Sequence, residues 1–565
     1  MKLLVNLSEA YYVEYYAGMR IEVRFKESAL DGRASSLAAK LSNRLGTDLS
    51  VIVVDVVMPG APVSPDRARC VFSDPVTQLV SMDQPMAADP ALAGWSWLIE
   101  VAWRPGVTDT LAATAREAME LDQGIGYGAV HSRAHGVAPS EVHGGGQLDA
   151  PYANLRTARQ YLLYGTLSEA QANQAAAALH NPLVQAAMLI PVSDWATGIR
   201  PPAAYPAPDV HDRMEPETIA VAAMDDAALL ALSGSRLLAL SLEELGSVRA
   251  WFADPEVRTR RLAAGLPEAA TDVEIEMIAQ TWSEHCKHKI FNADIVYEEP
   301  GKQTEIIHSL YKSYIQQTTI DLAPRRAFLR SVFTDNAGVV AFHEGSVLCI
   351  KAETHNSPSA LDPYGGAITG IVGVNRDILG TGMGAKPIFN TNVLCFGYPD
   401  MPAADLPAGL LHPADVLEGV HRGIVDGGNQ SGIPAAAGAF LFDDSFAGKP
   451  LVFCGTGGIM PELISGKPSW EKQVKPGALA VMLGGRIGKD GIHGATFSSL
   501  ALDESCPASA VQIGDPIIQR RMTDFLLEAR DAGLYEAITD NGAGGLSSSL
   551  GEMAQSSGGI HIDLD

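Results

Sequence analysis

Residues 347–384 read VLCIKAETHNSPSALDPYGGAITGIVGVNRDILGTGMG. Side chains two apart in a strand point the same way, so Lys351, Glu353 and His355 share one face. A cation, a carboxylate and an imidazole then meet at a strand end. Those groups suit a nucleotide phosphate, a Mg²⁺ ion and a reacting group respectively. Pro358 and Pro363 stop the strand, and Gly365 and Gly366 open a helix through Gly370 and Gly373. The free N–H groups of its first turn are available to an anion. Arg376 and Asp377 add a charge pair at its far end. A solvated strand face is the plain alternative, and the flanking apolar residues and dense Gly and Pro punctuation weigh against it.

Two further segments carry polar clusters. Residues 271–289 read TDVEIEMIAQTWSEHCKHK. Thr271 with Glu274 forms a capping box, and Ile275, Ile278, Ala279 and Trp282 make a helical stripe. His285 follows three after Trp282, which puts it near the end of the buried face. A zinc site lacks a second ligand pair at suitable spacing. A satisfied histidine at a helix end, or a catalytic or phosphate-contacting loop, remain open. Downstream, Asp540 is expected to end a strand before a glycine turn into a helix, where its carboxylate reaches a phosphate-bound metal. A turn-forming Asp is the alternative. The glycine turns at 428–434 and 488–494 match no Walker spacing and are weak evidence alone.

The first 190 residues contain an echo. Ile21-Glu22-Val23-Arg24-Phe25-Lys26, with Asp31 beyond, returns 78 residues later as Ile99-Glu100-Val101-Ala102-Trp103-Arg104, with Asp109 beyond. Each copy reads as a strand followed by an Ala- and Leu-rich helix, over 34–45 and 109–120, and 50–58 reads as a buried strand. Two similar β-α-β units, packed as a pseudo-symmetric pair, are expected. A proline-rich stretch over 197–216 reads as a linker, and 217–262 is helical in pattern. Beyond residue 338 strands and helices alternate with frequent glycines, which argues an α/β or α+β fold.

The chain has 565 residues, 41 Lys and Arg against 66 Asp and Glu, and a net charge of −25. That acid excess argues against a general nucleic-acid binder, whose affinity needs clustered cations. Six scattered cysteines without C-x-x-C point to a reducing compartment rather than a disulfide framework. No secretory leader and no apolar run of membrane-spanning length is read, so a soluble cytoplasmic protein is expected.

Five stretches occur together and in order: TWSEHCKHK (281–289), KAETHNSPSA (351–360), VNRDILGTG (374–382), GKDGIHGATFSS (488–499) and TDNGAGGLSS (539–548). From about residue 217 onward the chain resembles phosphoribosylformylglycinamidine synthases, amidotransferases of purine biosynthesis. The first region resembles the family's small accessory subunit, present as a tandem pair. The resemblance implies a tandem accessory-like region over 1–192 and a linker and helical region over 193–270. It implies an aminoimidazole-ribonucleotide-synthase-like N-terminal ATP and substrate domain over 271–445 and a C-terminal α/β domain over 446–565. In that fold, sheets of two homologous halves close a barrel.

The resemblance further implies that ATP activates the amide oxygen of formylglycinamide ribonucleotide and that ammonia then displaces the phosphate. His285 is the implied active-site residue and His355 the proton acceptor, while His288 and Lys351 contact ATP. Glu353 holds one Mg²⁺, and Asp377 with Asp540 a second. Thr354, His355, Asn356, Ser357, Arg376 and Gln512 bind the ribonucleotide. The family pattern continues past Asp565 into a second synthetase half and a glutaminase domain or subunit, so those are the expected partners. Two alternatives stand: another ATP-dependent synthetase or kinase of the same fold, and a non-catalytic half that binds partners.

Overall fold

A computed structural model of the chain describes residues 19–82, 84–105, 107, 109–122, 152, 154–205, 216–402, 404–407, 409–485, 491–498, 511 and 514–562. Two compact units divide between residues 211 and 212. The fold is mixed α/β in both.

In the first unit, β1 (Ile21–Phe25), α1 (Gly32–Leu45), β2 (Ser50–Met58), α2 (Pro65–Phe72) and β3 (Gln78–Met82) are followed by β4 (Trp97–Trp103), α3 (Thr110–Asp122), β5 (Arg156–Tyr164), α4 (Glu169–Leu179) and β6 (Gln185–Pro191). The strands form one antiparallel sheet in the order β3-β1-β2-β5-β4-β6. Each echo is therefore a β-α-β-α-β unit, one strand longer than expected. The additional strands lie on the outer edges, with Ile21 opposite Met82 and Ile99 opposite Leu189.

The repeated residues occupy matching places. Glu22 and Glu100 are both buried, and Arg20 pairs with each of them. Asp31 caps α1 by accepting from the Arg33 N–H, and Asp109 accepts from the Ala112 N–H at 2.9 Å. A short polar side chain at that position satisfies a backbone donor the helix cannot, so both copies keep the same acid. Val51, Val53, Ile99, Val101 and Leu163 close the core against α1 and α4.

The second unit opens with a β7 (Thr218–Ile219) that pairs β8 (Ala270–Thr271), enclosing helices α5 (Asp226–Ser235), α6 (Leu242–Ala253) and α7 (Pro255–Ala263). Leu229, Leu238, Leu245, Val248 and Phe252 pack with Ile275 and Ala279 of α8 (Asp272–Thr281). Both halves of the Thr271 and Glu274 capping box are made. The helix does not run on to residue 289. It stops at Trp282, and Ser283 accepts from the Cys286 N–H at 3.2 Å to start a separate short helix, α9 (Glu284–Lys287). A serine that caps a new helix ends the old one, so the expected stripe loses Trp282, which is exposed.

Next come a hairpin, β9 (Asp294–Tyr297) with β10 (Glu305–His308), and strands β11 (Leu329–Ser331), β12 (Gly338–Ala341) and β13 (Ser346–Thr354). They are followed by α10 (Asn356–Leu361), α11 (Pro363–Leu379), β14 (Lys386–Phe396), α12 (Pro413–Ser431), β15 (Ala435–Phe442) and β16 (Leu451–Pro461). The main sheet has the order β11-β12-β13-β16-β14-β15, antiparallel except for β14 beside β15. β16 sits between β13 and β14, so a division at 445/446 falls inside this sheet.

Helix α11 lies under the sheet, with Ala367, Ile371 and Val374 against Leu394, Phe396 and Val452 on one side and Val416 and Val420 of α12 on the other. All eight residues of the edge strand β15 are exposed. Gly428 to Ser431 form the last turn of α12 and not a loop, with Gly432 left-handed after it. Beyond the sheet lie α13 (Gly494–Phe497), α14 (Pro516–Asp531) and α15 (Gly545–Ser557). Asp540 precedes α15 in an irregular segment and not at a strand end. No helix among the described residues is long and apolar enough to cross a membrane.

Candidate functional site

The site is built where β13 ends above α11. The period of the strand carries Lys351 and Glu353 to the same side, and His355 follows at the turn. Its backbone N–H still bonds the Val452 carbonyl of β16 at 2.9 Å, so the ladder holds it in register. Helix α11 comes unusually near this edge because glycines face it. A Cβ at Gly370 would stand 2.9 Å from the Cys454 Sγ, and one at Gly373 would stand 3.0 Å from Glu353 Oε2. These glycines serve close packing. The expected anion site at the helix start is filled internally, since Asp362 accepts from the Gly365 N–H at 3.1 Å.

Charges meet across that gap. Lys351 Nζ lies 2.7 Å from Asp377 Oδ2 and 3.9 Å from Glu353 Oε1. His355 Nε2 lies 3.2 Å from Glu353 Oε2. Arg376 Nε donates to Asp540 Oδ2 at 2.8 Å, and Asn336 Nδ2 donates to Asp540 Oδ1 at 2.8 Å.

Electrostatics follow from this crowding. Burial pushes the Asp377 carboxyl upward, and the facing Glu353 carboxylate pushes it further. Burial works the same way on Glu353, but bonds to His355 and Asp377 more than offset it and hold Glu353 below its ordinary range. The two facing acids therefore shift in opposite directions, Asp377 upward and Glu353 downward. Lys351 loses hydration on burial, yet Asp377 beside it raises its pKa overall.

His285 is delivered by α9. Its pKa is lowered, chiefly by burial, with Glu353 opposing and with His355, His288 and Lys351 adding to the fall. The ring therefore belongs to the same cluster. His288 joins α9 to the following turn in a left-handed conformation, φ 51°. Such a conformation is uncommon for a residue with a side chain and gathers at functional sites. The Ser498 hydroxyl lies 3.4 Å from His285 Nδ1.

The implied ribonucleotide residues divide. Thr354 is exposed at the strand end. Asn356 Oδ1 accepts from the Val452 N–H at 2.9 Å, and the Ser357 hydroxyl donates to the Ser498 carbonyl at 3.0 Å, so both brace the turn. Arg376 is engaged by Asp540. Gln512 lies outside the described residues.

Sequence reasoning missed Asn336, Asp335, Lys472 and Ser498. One signal was available for the first two: Thr-Asp-Asn occurs at 334–336 and again at 539–541. The structure joins those two tripeptides through Asn336 and Asp540.

Among the described residues no three His, Cys, Asp or Glu side chains converge as a ready-made metal cage. The donors present nonetheless fit magnesium. They are carboxylate oxygens of Glu353 and Asp377, both beside the Lys351 ammonium, so the pocket already holds a positive charge against them. Magnesium takes one or two carboxylates along with water and phosphate oxygens, so it needs no protein cage.

Comparison with known proteins adds three domain matches. They are the formylglycinamide ribonucleotide amidotransferase linker domain at residues 229–289, and the AIR synthase related protein N-terminal domain at 334–460 and C-terminal domain at 475–565. The chain is 38% identical over 351 residues to phosphoribosylformylglycinamidine synthase subunit PurL of Thermoplasma acidophilum, covering 62% of this chain and 41% of that one. It is 33% identical over 308 residues to the same subunit of Chlorobium luteolum, covering 53% and 36%. Among solved structures it is similar to T. maritima PurL complexed with FGAR, with 29% identity, a TM-score of 0.39, and 53% of this chain and 41% of that one covered. The chain spans about two fifths of the length of the curated relatives it matches.

Proposed function

The chain belongs, by its linker and its two synthase-related domains, to the phosphoribosylformylglycinamidine synthase family, and we propose that it supplies one ATP and ribonucleotide site of that enzyme. The reaction is the ATP-dependent conversion of formylglycinamide ribonucleotide to its amidine. Transfer of the ATP γ-phosphoryl to the amide oxygen makes an iminophosphate. Ammonia then adds to that carbon, and phosphate leaves with the former amide oxygen.

One observation carries the reading: Lys351, Glu353 and His355 share a strand end, and Asp377 lies 2.7 Å from Lys351. In the reading, Lys351 and His288 bind the triphosphate, and Thr354, Asn356, Ser357, Arg376 and Gln512 seat the ribonucleotide. His355 has the environment of a base. Its Nε2 is paired with Glu353, while its Nδ1 is buried without a hydrogen-bond partner. A carboxylate on one ring nitrogen fixes the proton there and leaves a lone pair on the other. In this reading, that nitrogen takes the proton from the attacking ammonia. The same cluster lowers the His285 pKa, chiefly through lost hydration, which disfavours its charged form.

Glu353, Asp377 and Asp540 would hold magnesium, which withdraws charge from phosphate oxygens when bound. The paired units of residues 1–192 take the place of the family's accessory subunit. A second synthetase half and a glutaminase complete the enzyme, which works in the cytoplasm.

The test supplies the chain with its second half, ATP, formylglycinamide ribonucleotide and ¹⁵N-ammonia. The expected result is ¹⁵N in the amidine with one ADP released per turnover. Folded protein that releases no ADP and incorporates no label would reject the reading.

A further inference from the structure

We propose that Asn336 is a positioning residue that fixes the carboxylate of Asp540 for a divalent cation; the inference rests on the reading of Asp540 as a magnesium-holding acid. Asp540 sits in an irregular segment ahead of α15, so no strand or helix sets its direction. Its two oxygens are instead held one each, Oδ2 by Arg376 and Oδ1 by Asn336, both at 2.8 Å. A carboxylate offers about four lone-pair sites, so one hydrogen bond per oxygen leaves acceptor capacity on both.

Asn336 is itself clamped. Its neighbour Asp335 accepts from Lys472 Nζ at 2.6 Å and from the Gly382 N–H at 2.6 Å. Lys472 also donates to the Gly380 carbonyl at 2.6 Å. Gly380 lies directly against the amide: a Cβ there would stand 2.6 Å from Asn336 Nδ2 and 3.2 Å from the Asp540 backbone nitrogen. The end of α11, residues 335–336, Lys472 and Asp540 thus form one locked corner.

The residue type matters too. Only the amide nitrogen can face a carboxylate oxygen, which settles how the amide points. A neutral donor orients Asp540 without cancelling the charge that attracts a cation. Arg376 already contributes one positive charge, and a second would oppose the ion. Partners of this kind behind a metal ligand are worth about 10–100-fold in metal affinity.

The test titrates the full chain with Mn²⁺ in the presence of ADP and reads free Mn²⁺ by electron paramagnetic resonance. Asn336→Leu keeps the volume and removes the donor; Asn336→Ala is the smaller alternative, so that either folded variant decides. Asp540→Asn reports on the acid itself. Urea unfolding is run alongside, because a merely structural role would lower the midpoint without moving Mn²⁺ affinity of the folded protein. The expected result is Mn²⁺ binding weakened about tenfold or more by loss of Asn336, and at least as much by Asp540→Asn. Unchanged binding without Asn336, alongside weakened binding in Asp540→Asn, overturns the positioning role alone. Unchanged binding in Asp540→Asn overturns the reading of Asp540 and this inference with it.

Discussion

His355 Nε2 lies 3.2 Å from Glu353 Oε2, and the opposite ring nitrogen is buried with no partner. The two residues stand two apart on one strand end, so the same periodicity that puts the pair on one face also orients the ring. His355→Ala is expected to lower kcat by about 10²–10⁴-fold, the usual contribution of a positioned base. ADP binding should stay within about twofold, since Lys351 and His288 carry it in this reading. Steady-state rates of the completed enzyme with ammonia, set beside calorimetric ADP titrations, decide the matter. Equal losses in both would show that His355 serves binding instead.

Glycine substitutions should sort by what each new methyl meets. At Gly366 a Cβ would stand 2.5 Å from the Ser359 backbone nitrogen and 2.6 Å from the Pro358 carbonyl carbon, neither of which can turn aside. At Gly246, within α6, it meets nothing within 4 Å. Gly366→Ala is therefore expected to destabilise by about 1–3 kcal/mol, as overpacking does. Gly246→Ala should stabilise by about 0.5–1 kcal/mol through helix propensity. Urea unfolding of each variant checks the signs, and the reverse order would be inconsistent with this packing.

Glu274 gives a pH dependence remote from the cluster. Burial raises its pKa, but Arg261 and the Thr271 backbone and hydroxyl more than reverse this, leaving it below its ordinary value of 4.5. A group depressed in the folded state contributes stability above the unfolded pKa and loses it as pH falls through the folded one. The wild-type chain should lose stability on acidification from about pH 5 downward faster than Glu274→Gln does. Unfolding midpoints measured between about pH 6 and 3 test the difference in slope. Parallel slopes would remove Glu274 as a contributor.

The parts of the cluster visible in the sequence are those with a local period. Lys351, Glu353 and His355 declare themselves by alternation, and the α1 and α3 helices by the Asp31 and Asp109 that precede them. Contacts that link distant segments leave no such trace. Asn336 meets Asp540 across 204 positions, and Lys472 meets Asp335 across 137. The break after α8 was hidden because Ser283 reads as one more polar residue until its hydroxyl is seen capping α9. The edge strands β3 and β6 escaped for a related reason: only partly buried, they show weak alternation.

Strand β15 has practical weight. Its sequence, AAAGAFLF, is apolar from end to end, and Phe440, Leu441 and Phe442 are 46%, 54% and 37% exposed on a ladder that has, among the described residues, one open side. Such an edge templates further pairing. In concentrated solution the purified chain should therefore self-associate through this rim, so light scattering ought to rise with protein concentration. Lysines introduced along the rim would be the direct means of keeping it dispersed.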